Sequence, residues 1–257
     1  SQKIANTLLK NNIMIDLSAD FRLTNAKIYN KYYGIKHISL NNLKKSIYGL
    51  TEINKKNLSK GKIIACPGCY PTSILLPLFP LIKKNLIDFK NIVIDSKSGF
   101  SGAGRGVHKK FKNKNLYGST SAYGIGSHRH NAEIQQELSY IKKNIEFTFT
   151  PHILPMFRGI LSTIYLNYKS KANLNKIYNE LRRFYMSHKF IKILKNKALS
   201  TNDVINTNNC QISVCKSKDK KKLIILSSID NLIKGGAGQA VQNLNLIFKF
   251  KLNEGLK

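Results

Sequence analysis

Between residues 62 and 82 a short apolar stretch, a tight turn and a longer apolar stretch follow one another, KIIACPGCYPTSILLPLFPLI. Residues 63–65 have the length and apolar character of a buried strand, and Pro67-Gly68 is typical of a turn. Pro71 fits the first turn of a helix, where its missing N–H leaves no hydrogen bond unmade. The pattern therefore predicts a strand, a turn and a helix, with Cys69 at the beginning of the helix.

Cys69 is the first candidate for a reactive residue. The free backbone N–H groups and the positive end of the helix dipole meet at a helix N-terminus. Both favour the thiolate, so we expect the pKa of the Cys69 thiol to be lowered there. The thiolate is the nucleophilic form of cysteine, and this position therefore predicts covalent catalysis.

Composition and charge exclude several classes of protein. The chain has 257 residues, of which 42% are hydrophobic, enough for one large or two moderate domains. The formal net charge of +30 comes mostly from lysines, which are spread along the chain together with many Asn and Ile. This pattern is typical of a genome rich in A and T, and it favours a solvated lysine surface over a phosphate-binding groove. We therefore expect no nucleic-acid partner.

The sequence also gives expectations about membranes and cellular location. The longest apolar run, residues 74–82, is too short to span a bilayer and contains two prolines, so we expect no membrane partner. No charged and then apolar leader opens the sequence. Four cysteines in a chain of this length do not make a disulfide scaffold and indicate reduced thiols. Together these features predict a cytoplasmic protein.

Hydrophobic periodicity predicts strands and helices along the rest of the chain. Strands are predicted at residues 13–17, 63–65, 91–96, 146–150, 161–168, 211–215 and 222–229. Helices are predicted at residues 1–12, from Cys69 to about Lys84, after an N-cap at Asn131, along Leu174, Ile177, Leu181 and Phe184, and along Val241, Leu244, Ile247 and Phe248. Residues 24–58 are interpreted as short irregular pieces and residues 107–130 as a long polar loop. This order predicts an α/β protein: part of a parallel unit comes first, and a sheet-rich domain with helices on one face follows.

Two further segments carry residues suited to catalysis or ligand binding. His128 and His130 stand just before a predicted helix and are candidates for acid–base catalysis. Gly102, Gly104 and Gly106 follow a predicted strand, as in a loop whose backbone approaches a flat ligand or a phosphate. They do not match the dinucleotide-binding pattern G-x-G-x-x-G, because the third glycine comes one position early and no helix pattern follows.

Four arginines lie in loops beside glycine, proline or an aspartate–aromatic pair: Arg22, Arg105, Arg129 and Arg158. In a chain that otherwise uses lysine, a retained arginine suggests a need for the planar guanidinium, which grips a carboxylate or phosphate with two hydrogen bonds. A surface ion pair is the alternative for each of them.

The same turn supports a competing hypothesis. Cys66 and Cys69 have the C-x-x-C spacing of a thioredoxin-like dithiol redox module, although such a domain is much shorter than this chain. A zinc site that adds Cys210 and Cys215 is a weaker alternative, because the second pair lies in a predicted strand. For Cys66 we favour a structural role at the end of the strand.

Six segments together resemble one enzyme family. In chain order they are DLSADFRL, ACPGCYPTSILLPL, SGFSGAGR, YGIGSHRHNAEIQQEL, HILPMFRGILSTIY and DNLIKGGAGQAVQNLN. They resemble N-acetyl-gamma-glutamyl-phosphate reductase, the third enzyme of arginine biosynthesis. The chain is also similar, more distantly, to aspartate-semialdehyde dehydrogenase and the glyceraldehyde-phosphate-dehydrogenase-like group. The resemblance implies NADPH-dependent reduction of N-acetyl-L-glutamyl 5-phosphate to N-acetyl-L-glutamate 5-semialdehyde, with release of phosphate.

The resemblance also implies roles for individual residues. Cys69 matches the nucleophile that forms a thioester, and the HRH segment supplies the acid–base group, with His130 favoured over His128. The implied substrate-binding residues are Arg22, Tyr123, Arg105 and Arg158. The implied residues at the nicotinamide end of NADP(H) are Gly102, Gly104, Asn231, Lys234 and Gly235. No metal is implied, and the implied assembly is a homodimer or homotetramer that acts on a small acyl phosphate.

The implied fold is α/β: the remnant of a Rossmann-type parallel sheet plus a glyceraldehyde-phosphate-dehydrogenase-like α+β catalytic domain with a mixed or antiparallel sheet. Residues 1–84 would form the C-terminal part of the NADP-binding domain, and residues 85–235 the catalytic and dimerisation domain. Residues 236–257 would form a helix that returns to the first part. Family members begin with a glycine-rich Rossmann segment that this sequence does not contain. We therefore expect weak or no NADPH binding by this chain alone, and an inactive truncated remnant is a further hypothesis.

Overall fold

The structure, a computed structural model, describes residues 1–106, 117–169 and 172–257; the side chains of residues 104–106 are not described. In these residues the order of elements confirms an α/β fold with two sheets.

The first sheet has three parallel strands in the order β1-β3-β2. They are β1 (Met14–Asp16), β2 (Ser46–Tyr48) and β3 (Ile63–Ala65). The helices of this part are α1 (Ala5–Leu8), α2 (Ala26–Tyr33), α3 (Leu40–Leu43) and α4 (Thr51–Leu58).

Two expectations for this first part are wrong. Helix α1 covers only a small part of the residues 1–12 predicted as helix. Residues 24–58 contain regular elements rather than irregular pieces. The sequence does carry the signals for α2, because the Asn25 side chain accepts hydrogen bonds at its N-terminus and Gly34 ends it with a φ of 70°.

The second sheet has seven strands in the order β5-β6-β4-β7-β10-β9-β8 and mixes parallel with antiparallel pairs. The strands are β4 (Ile92–Gly99), β5 (Ser121–Ala122), β6 (Phe147–Leu154), β7 (Ile160–Asn167), β8 (Ile191–Lys195), β9 (Cys210–Lys216) and β10 (Lys222–Ile229). The sequence predicted neither β8 nor β5; β5 lies within residues 107–130, which were interpreted as a polar loop and of which residues 107–116 lie outside the described residues. The glycine-rich loop after β4 forms a 3-10 helix, Phe100–Gly106.

Helix α5 (Cys69–Lys83) follows β3 and confirms the strand, turn and helix expected from the sequence. It continues through Pro77 and Pro80. Proline lacks the N–H that would bond to the carbonyl four residues earlier, and for Pro80 that carbonyl belongs to Leu76. The Tyr185 hydroxyl donates a hydrogen bond of 2.5 Å to this Leu76 oxygen. A tertiary contact therefore satisfies a carbonyl that the proline leaves free.

Helices α5, α6 (His130–Ser139) and α7 (Leu174–Tyr185) bury their apolar residues against one face of the second sheet. Side chains on the opposite face include Val93 and Tyr165, which are paired across β4 and β7 and are 42% and 41% exposed. Within the residues that the structure describes, no helix is long and apolar enough to cross a membrane.

The last helix, α8 (Gly238–Ile247), lies against α4 and β1 of the first part. The helix predicted along Val241, Leu244 and Ile247 is confirmed, but its apolar residues do not form its buried face. Val241 and Leu244 are exposed, whereas Gln239, Gln242 and Asn243 are buried. The buried amides are hydrogen-bonded: Gln239 and Asn243 donate to the Gly49 carbonyl, and Asn243 accepts from Thr51. These bonds offset the cost of burying polar groups.

Candidate active site

A cavity of about 360 Å³ lies at the N-terminus of α5. Its lining combines the predicted nucleophile, both predicted acid–base residues and aromatic side chains. The lining residues are Tyr32, Cys69, Tyr70, Ser98, Gly102, Ala103, Tyr123, His128, Arg129, His130 and Ile153. The structure therefore brings Cys69, His128, His130, Tyr123 and Gly102 together at one cavity.

Cys69 is the first residue of α5 and is partly exposed. Burial around the sulfur raises the pKa of its thiol, and this effect outweighs the charge of Arg22 and the backbone N–H groups of Cys69 and Tyr70, which lower it. The expectation of a lowered pKa is therefore wrong. The neutral thiol predominates at pH 7, so nucleophilic attack requires a group that removes the proton.

His130 is the side chain suited to that task. It is buried in the first turn of α6, and its ring packs so closely on Gly68 that a Cβ there would lie 2.5 Å from Nε2. Burial, and to a smaller extent the neighbouring His128, Arg22 and Arg129 side chains, hold the pKa of His130 well below 6.5. The imidazole is therefore neutral at pH 7 and can accept a proton. Within the described residues its Nδ1 atom has no hydrogen-bond partner.

His128 helps to form the beginning of α6. Its Nδ1 atom accepts a hydrogen bond of 3.1 Å from the backbone N–H of His130. Asn131, the expected N-cap, lies inside the helix, and Arg129 at the N-cap position makes no side-chain capping bond. The N-cap prediction is therefore wrong, because a histidine ring nitrogen takes the capping role.

Two tyrosines close the other side of the cavity. The Tyr123 hydroxyl donates to the Tyr70 hydroxyl over 3.2 Å, and the latter donates to the His152 carbonyl over 3.1 Å. The Tyr70 ring makes edge contacts with the rings of His128 and His130. Burial raises the pKa of Tyr123 to about 12, so its hydroxyl stays protonated and can donate a hydrogen bond.

Glu133 fixes the turn that carries Cys69. Its buried Oε1 atom accepts hydrogen bonds of 2.7 Å from the Gly68 N–H and from the Tyr48 hydroxyl. Its Oε2 atom lies 3.6 Å from Nη1 of Arg22. Glu133 was not predicted as a site residue from the sequence. The spacing of three residues after His130 was the available signal, since it puts both side chains on one helix face.

Arg22 does not line the cavity described above. Its Nε and Nη2 atoms donate to the carbonyls of Cys66 and Leu17, and its remaining contact is the ion pair with Glu133. These contacts engage the guanidinium within the protein, and its positive charge acts on the thiol of Cys69 and the ring of His130. Substrate binding by Arg22 stays a prediction.

Of the other two predicted substrate-binding arginines, one lies away from the cavity, and the side chain of the other is not among those that the structure describes. Arg158 contacts Asn206 and the buried Asp230, and it lines a separate cavity near Thr201. It is therefore not brought to Cys69. The side chain of Arg105 lies outside the described residues. Arg129, which the sequence offered only as one of four candidates, is the arginine that lines the Cys69 cavity among the described side chains.

Of the residues predicted for the nicotinamide end of a cofactor, some lie at the cavity and others lie away from it. Gly102 lines the cavity, and a Cβ there would lie 3.1 Å from Ser98 Oγ and 3.4 Å from Asn231 Nδ2. Asn231 holds this wall, because it donates to Ser101 and accepts from the Gly159 N–H. A side chain at position 102 would crowd Ser98 and Asn231, so the glycine leaves room at this wall, and in this respect the residues fit a nicotinamide ring.

Three other predicted cofactor residues have different positions. Gly235 lies behind Cys69, where a Cβ would be 2.7 Å from Cys69 Cβ. Lys234 is fully buried, bonded to Glu52, and does not line the Cys69 cavity; its place at the nicotinamide end stays a prediction. The backbone of Gly104 belongs to the 3-10 helix, and its further surroundings lie outside the description.

The competing cysteine hypotheses are not favoured. Cys66 is buried, and burial raises the pKa of its thiol to about 12, although a contact with Asn243 lowers it in part. A thiol in that state is a poor partner for redox exchange. Among the described residues, no three His, Cys, Asp or Glu side chains are grouped as a metal site.

Some cavity residues were not found from the sequence. Tyr32, Tyr70, Ser98, Ala103 and Ile153 come from distant parts of the chain. Only Tyr70 had a local signal, because it follows the predicted nucleophile directly. The other four residues lie on β4, the 3-10 helix, β6 and α2, and only the packing of these elements brings them to one cavity.

Comparisons with known proteins agree with the geometry. Residues 69–231 match the family model "Semialdehyde dehydrogenase, dimerisation domain". An N-acetyl-gamma-glutamyl-phosphate reductase from Clostridium botulinum (strain Eklund 17B / Type B) is 46% identical over 100% of this chain and 75% of its own length. The same-named protein of Campylobacter jejuni subsp. doylei is 45% identical over 100% and 76%. A probable chloroplastic one from Arabidopsis thaliana is 43% identical over 95% and 61%.

Solved structures support the fold. Aspartate semialdehyde dehydrogenase II from Vibrio cholerae superposes with a TM-score of 0.63 at 14% identity, covering 82% of this chain and 71% of that one. A probable aspartate-semialdehyde dehydrogenase from Pseudomonas aeruginosa gives 0.63 at 15% identity, covering 79% and 68%.

Proposed function

The chain belongs to the N-acetyl-gamma-glutamyl-phosphate reductase family, and on that premise we propose that Cys69 and His130 carry out its reaction through a thioester. The enzyme is an oxidoreductase of arginine biosynthesis that reduces N-acetyl-L-glutamyl 5-phosphate to N-acetyl-L-glutamate 5-semialdehyde. The observation that carries the proposal is a partly exposed thiol that shares a cavity with a neutral, buried imidazole.

The first half of the reaction transfers the acyl group to sulfur. Neutral His130 accepts the thiol proton, and the Cys69 sulfur attacks the carbonyl carbon of the acyl phosphate. The bond from that carbon to the phosphate oxygen breaks, so phosphate leaves and a thioester remains. Tyr123 and the charge of Arg129 lie at the same cavity, where they can stabilise the negative charge that develops on oxygen.

The second half reduces the thioester. A bound nicotinamide cofactor would supply a hydride to the thioester carbon. The oxygen of the reduced intermediate then re-forms its carbonyl as the carbon–sulfur bond breaks, and protonated His130 returns its proton to the departing sulfur. The products are the semialdehyde, the Cys69 thiol and neutral His130. We propose NADPH as the cofactor, with Gly102 and the wall held by Asn231 against its nicotinamide end.

The family match supports assembly as an oligomer, and we propose a homodimer or a homotetramer built on the exposed face of the second sheet. Val93, Tyr165 and Ile224 form one cross-strand row there, and the first two are the exposed ones. A second copy that covers this row would bury apolar side chains. Tyr165→Glu should then yield monomers in sedimentation velocity, and an unchanged sedimentation coefficient would argue against this face.

We also propose the domain division expected from the sequence, at residues 84 and 235, with the last helix packed on the first part. Four free cysteines and a reaction that needs one of them suit a reducing compartment, which supports a cytoplasmic location.

Acyl transfer to Cys69 tests the proposal without a cofactor. The protein is mixed with N-acetylglutamyl phosphate, and phosphate release and intact mass are followed. We expect one phosphate per chain and an acyl adduct at Cys69. Cys69→Ser should release none above the uncatalysed rate, whereas the matched control Cys215→Ser, at another partly exposed cysteine, should behave as the wild type. An adduct formed elsewhere, or release by Cys69→Ser, would refute the thioester route.

A further inference from the structure

We propose that Lys234 is a positioning residue for Cys69: its buried ion pair with Glu52 holds the adjoining Gly235 against the nucleophile. The proposal rests on the function proposed above for Cys69, and it assigns a role to a lysine that the cavity does not use.

Lys234 is anchored by a buried cluster of polar side chains. Its side chain is fully buried, and Nζ lies 2.6 Å from Glu52 Oε1 and 2.8 Å from Gln242 Oε1. Gln242 also donates to Glu52 and accepts from Asn208. We call Glu52, Asn208, Lys234 and Gln242 the anchor cluster. The Lys234 ammonium thereby joins α4 and α8, and Gln242 links them to the loop before β9.

A short turn connects Lys234 to the residue that contacts the nucleophile. Lys234 lies in a single turn of π-helix, Ile233–Ala237, and Gly235 is the next residue. The Gly235 N–H donates to the Asp230 carbonyl over 2.9 Å, and the Ala237 N–H donates to the Leu232 carbonyl over 2.8 Å. Gly235 is thus tied to Asp230 and follows Lys234 directly in the chain, so a displacement of the Lys234 backbone moves Gly235 with it.

Gly235 lies in close contact with Cys69. A Cβ on Gly235 would lie 2.7 Å from Cys69 Cβ and 3.1 Å from Cys69 Cα. The bare backbone of Gly235 therefore packs directly on the backbone and Cβ of the nucleophile. A misplacement of about 1 Å at a reacting atom can lower a rate about 100-fold. The position of Gly235 thus bears directly on the attack by the sulfur.

Energetics favour a positioning role over a stabilising one. Buried ion pairs are often replaced by apolar residues of similar volume without loss of stability, because desolvation cancels much of the attraction. What such a pair adds is a fixed geometry between two atoms. Here the pair fixes the turn beside Cys69 relative to the first residues of α4.

The principal test removes the pair without leaving a buried charge. In Glu52→Leu/Lys234→Met, circular dichroism and urea unfolding should resemble those of the wild type. Acyl transfer to Cys69 should fall at least tenfold at saturating acyl phosphate, with the half-saturating concentration unchanged within twofold. Alkylation of Cys69 by iodoacetamide should rise at least threefold, because the loosened turn exposes the sulfur. Alkylation of Cys215 in the same sample should not change.

A second variant tests the contact with the ion pair intact. Gly235→Ala should lower acyl transfer in the same way, whereas Gly236→Ala, where a Cβ meets only Asn231 O at 3.4 Å, should leave it unchanged. Wild-type rates in folded Glu52→Leu/Lys234→Met or in Gly235→Ala would overturn the proposal. If the wild type forms no acyl adduct, the proposed function fails, and the change in Cys69 alkylation still decides whether Lys234 positions the thiol.

Discussion

Two groups of polar residues meet the turn at Cys69 from different elements. The cavity cluster, Tyr70, Tyr123, His128 and His130, reaches it where His130 packs on Gly68. The anchor cluster reaches it where Gly235 packs on Cys69. The anchor cluster contains a compensated pair of opposite charges, whereas the cavity cluster contains a histidine that is held neutral. This difference suits the first cluster to positioning and the second to proton transfer.

In the anchor cluster, opposite charges compensate each other. Burial alone would raise the pKa of Glu52, but Lys234 and two hydrogen bonds outweigh it, so the pKa lies below its ordinary value of 4.5. In the cavity cluster, burial and positive neighbours hold the pKa of His130 down without a carboxylate bonded to its ring. A compensated pair fixes backbone positions, whereas a side chain kept neutral can take up and release a proton.

Removal of one partner from the anchor cluster should give the largest effect. Glu52→Ala leaves the Lys234 ammonium buried without its carboxylate, and we expect the free energy of unfolding to fall by about 3–5 kcal/mol at pH 7. Urea unfolding measures it. Because the pKa of Glu52 is lowered, its contribution exists above pH 4.5 and disappears as the pH falls, so the difference should shrink in acid.

The control for this variant is Lys56→Ala at an exposed position on the same helix, which should change stability by less than about 0.5 kcal/mol. A loss below about 1 kcal/mol in Glu52→Ala would mean that the anchor cluster does not depend on the charge pair.

Substitutions in the cavity cluster should lower the rate of acyl transfer rather than the free energy of unfolding. His130→Asn removes the neutral base, and we expect acyl transfer to Cys69 to fall at least about 100-fold, equivalent to about 2.7 kcal/mol. Single-turnover phosphate release measures it. His128→Asn is the matched comparison and should cost less than about tenfold, because His128 caps α6 without packing on Gly68. The reverse order would assign the base to His128.

Glu137 extends the comparison because it is a half-buried carboxylate to which no cation is bonded among the described residues. Burial raises its pKa to about 7, and Glu133 contributes, while a hydrogen bond from Gln136 lowers it in part. Its stability contribution is present below pH 4.5 and is lost as the pH rises to 7, because the unfolded carboxyl ionises first. Glu137→Gln should therefore be more stable than the wild type at pH 8, by about 2 kcal/mol.

At pH 4.5 the same variant should match the wild type in urea unfolding. Glu146→Gln, at a carboxylate that is 62% exposed, should show no such dependence on pH. A Glu137→Gln variant with equal stability at both pH values would show that this site stays hydrated.

Cys66→Ala should have the smallest effect. Its thiol is buried and protonated beside Asn243, outside both clusters, so we expect acyl transfer to remain within about twofold of the wild type. Trapping of the Cys69 acyl adduct by mass spectrometry measures it. A large loss would reopen the dithiol hypothesis.

The local sequence was sufficient for the element that carries the nucleophile. The strand, the turn and the N-terminal end of α5 depend on Ile63–Ala65, Gly68 and Pro71, whose preferences act within a few residues. The residues that resemble the reductase family also identified Cys69, His128, His130 and Tyr123, which the structure brings to one cavity.

Tertiary structure decided what depends on distant contacts. The pKa of Cys69 is raised rather than lowered, because burial by the surrounding elements outweighs the helix N-terminus. Helix α8 buries Gln239, Gln242 and Asn243, because their partners are supplied by α4 and its neighbours. Lys234 meets a carboxylate 182 residues earlier in the chain, which no local pattern could indicate. Local sequence fixes which groups can react, while packing fixes their charge and position, because burial and hydrogen-bond partners come from remote segments.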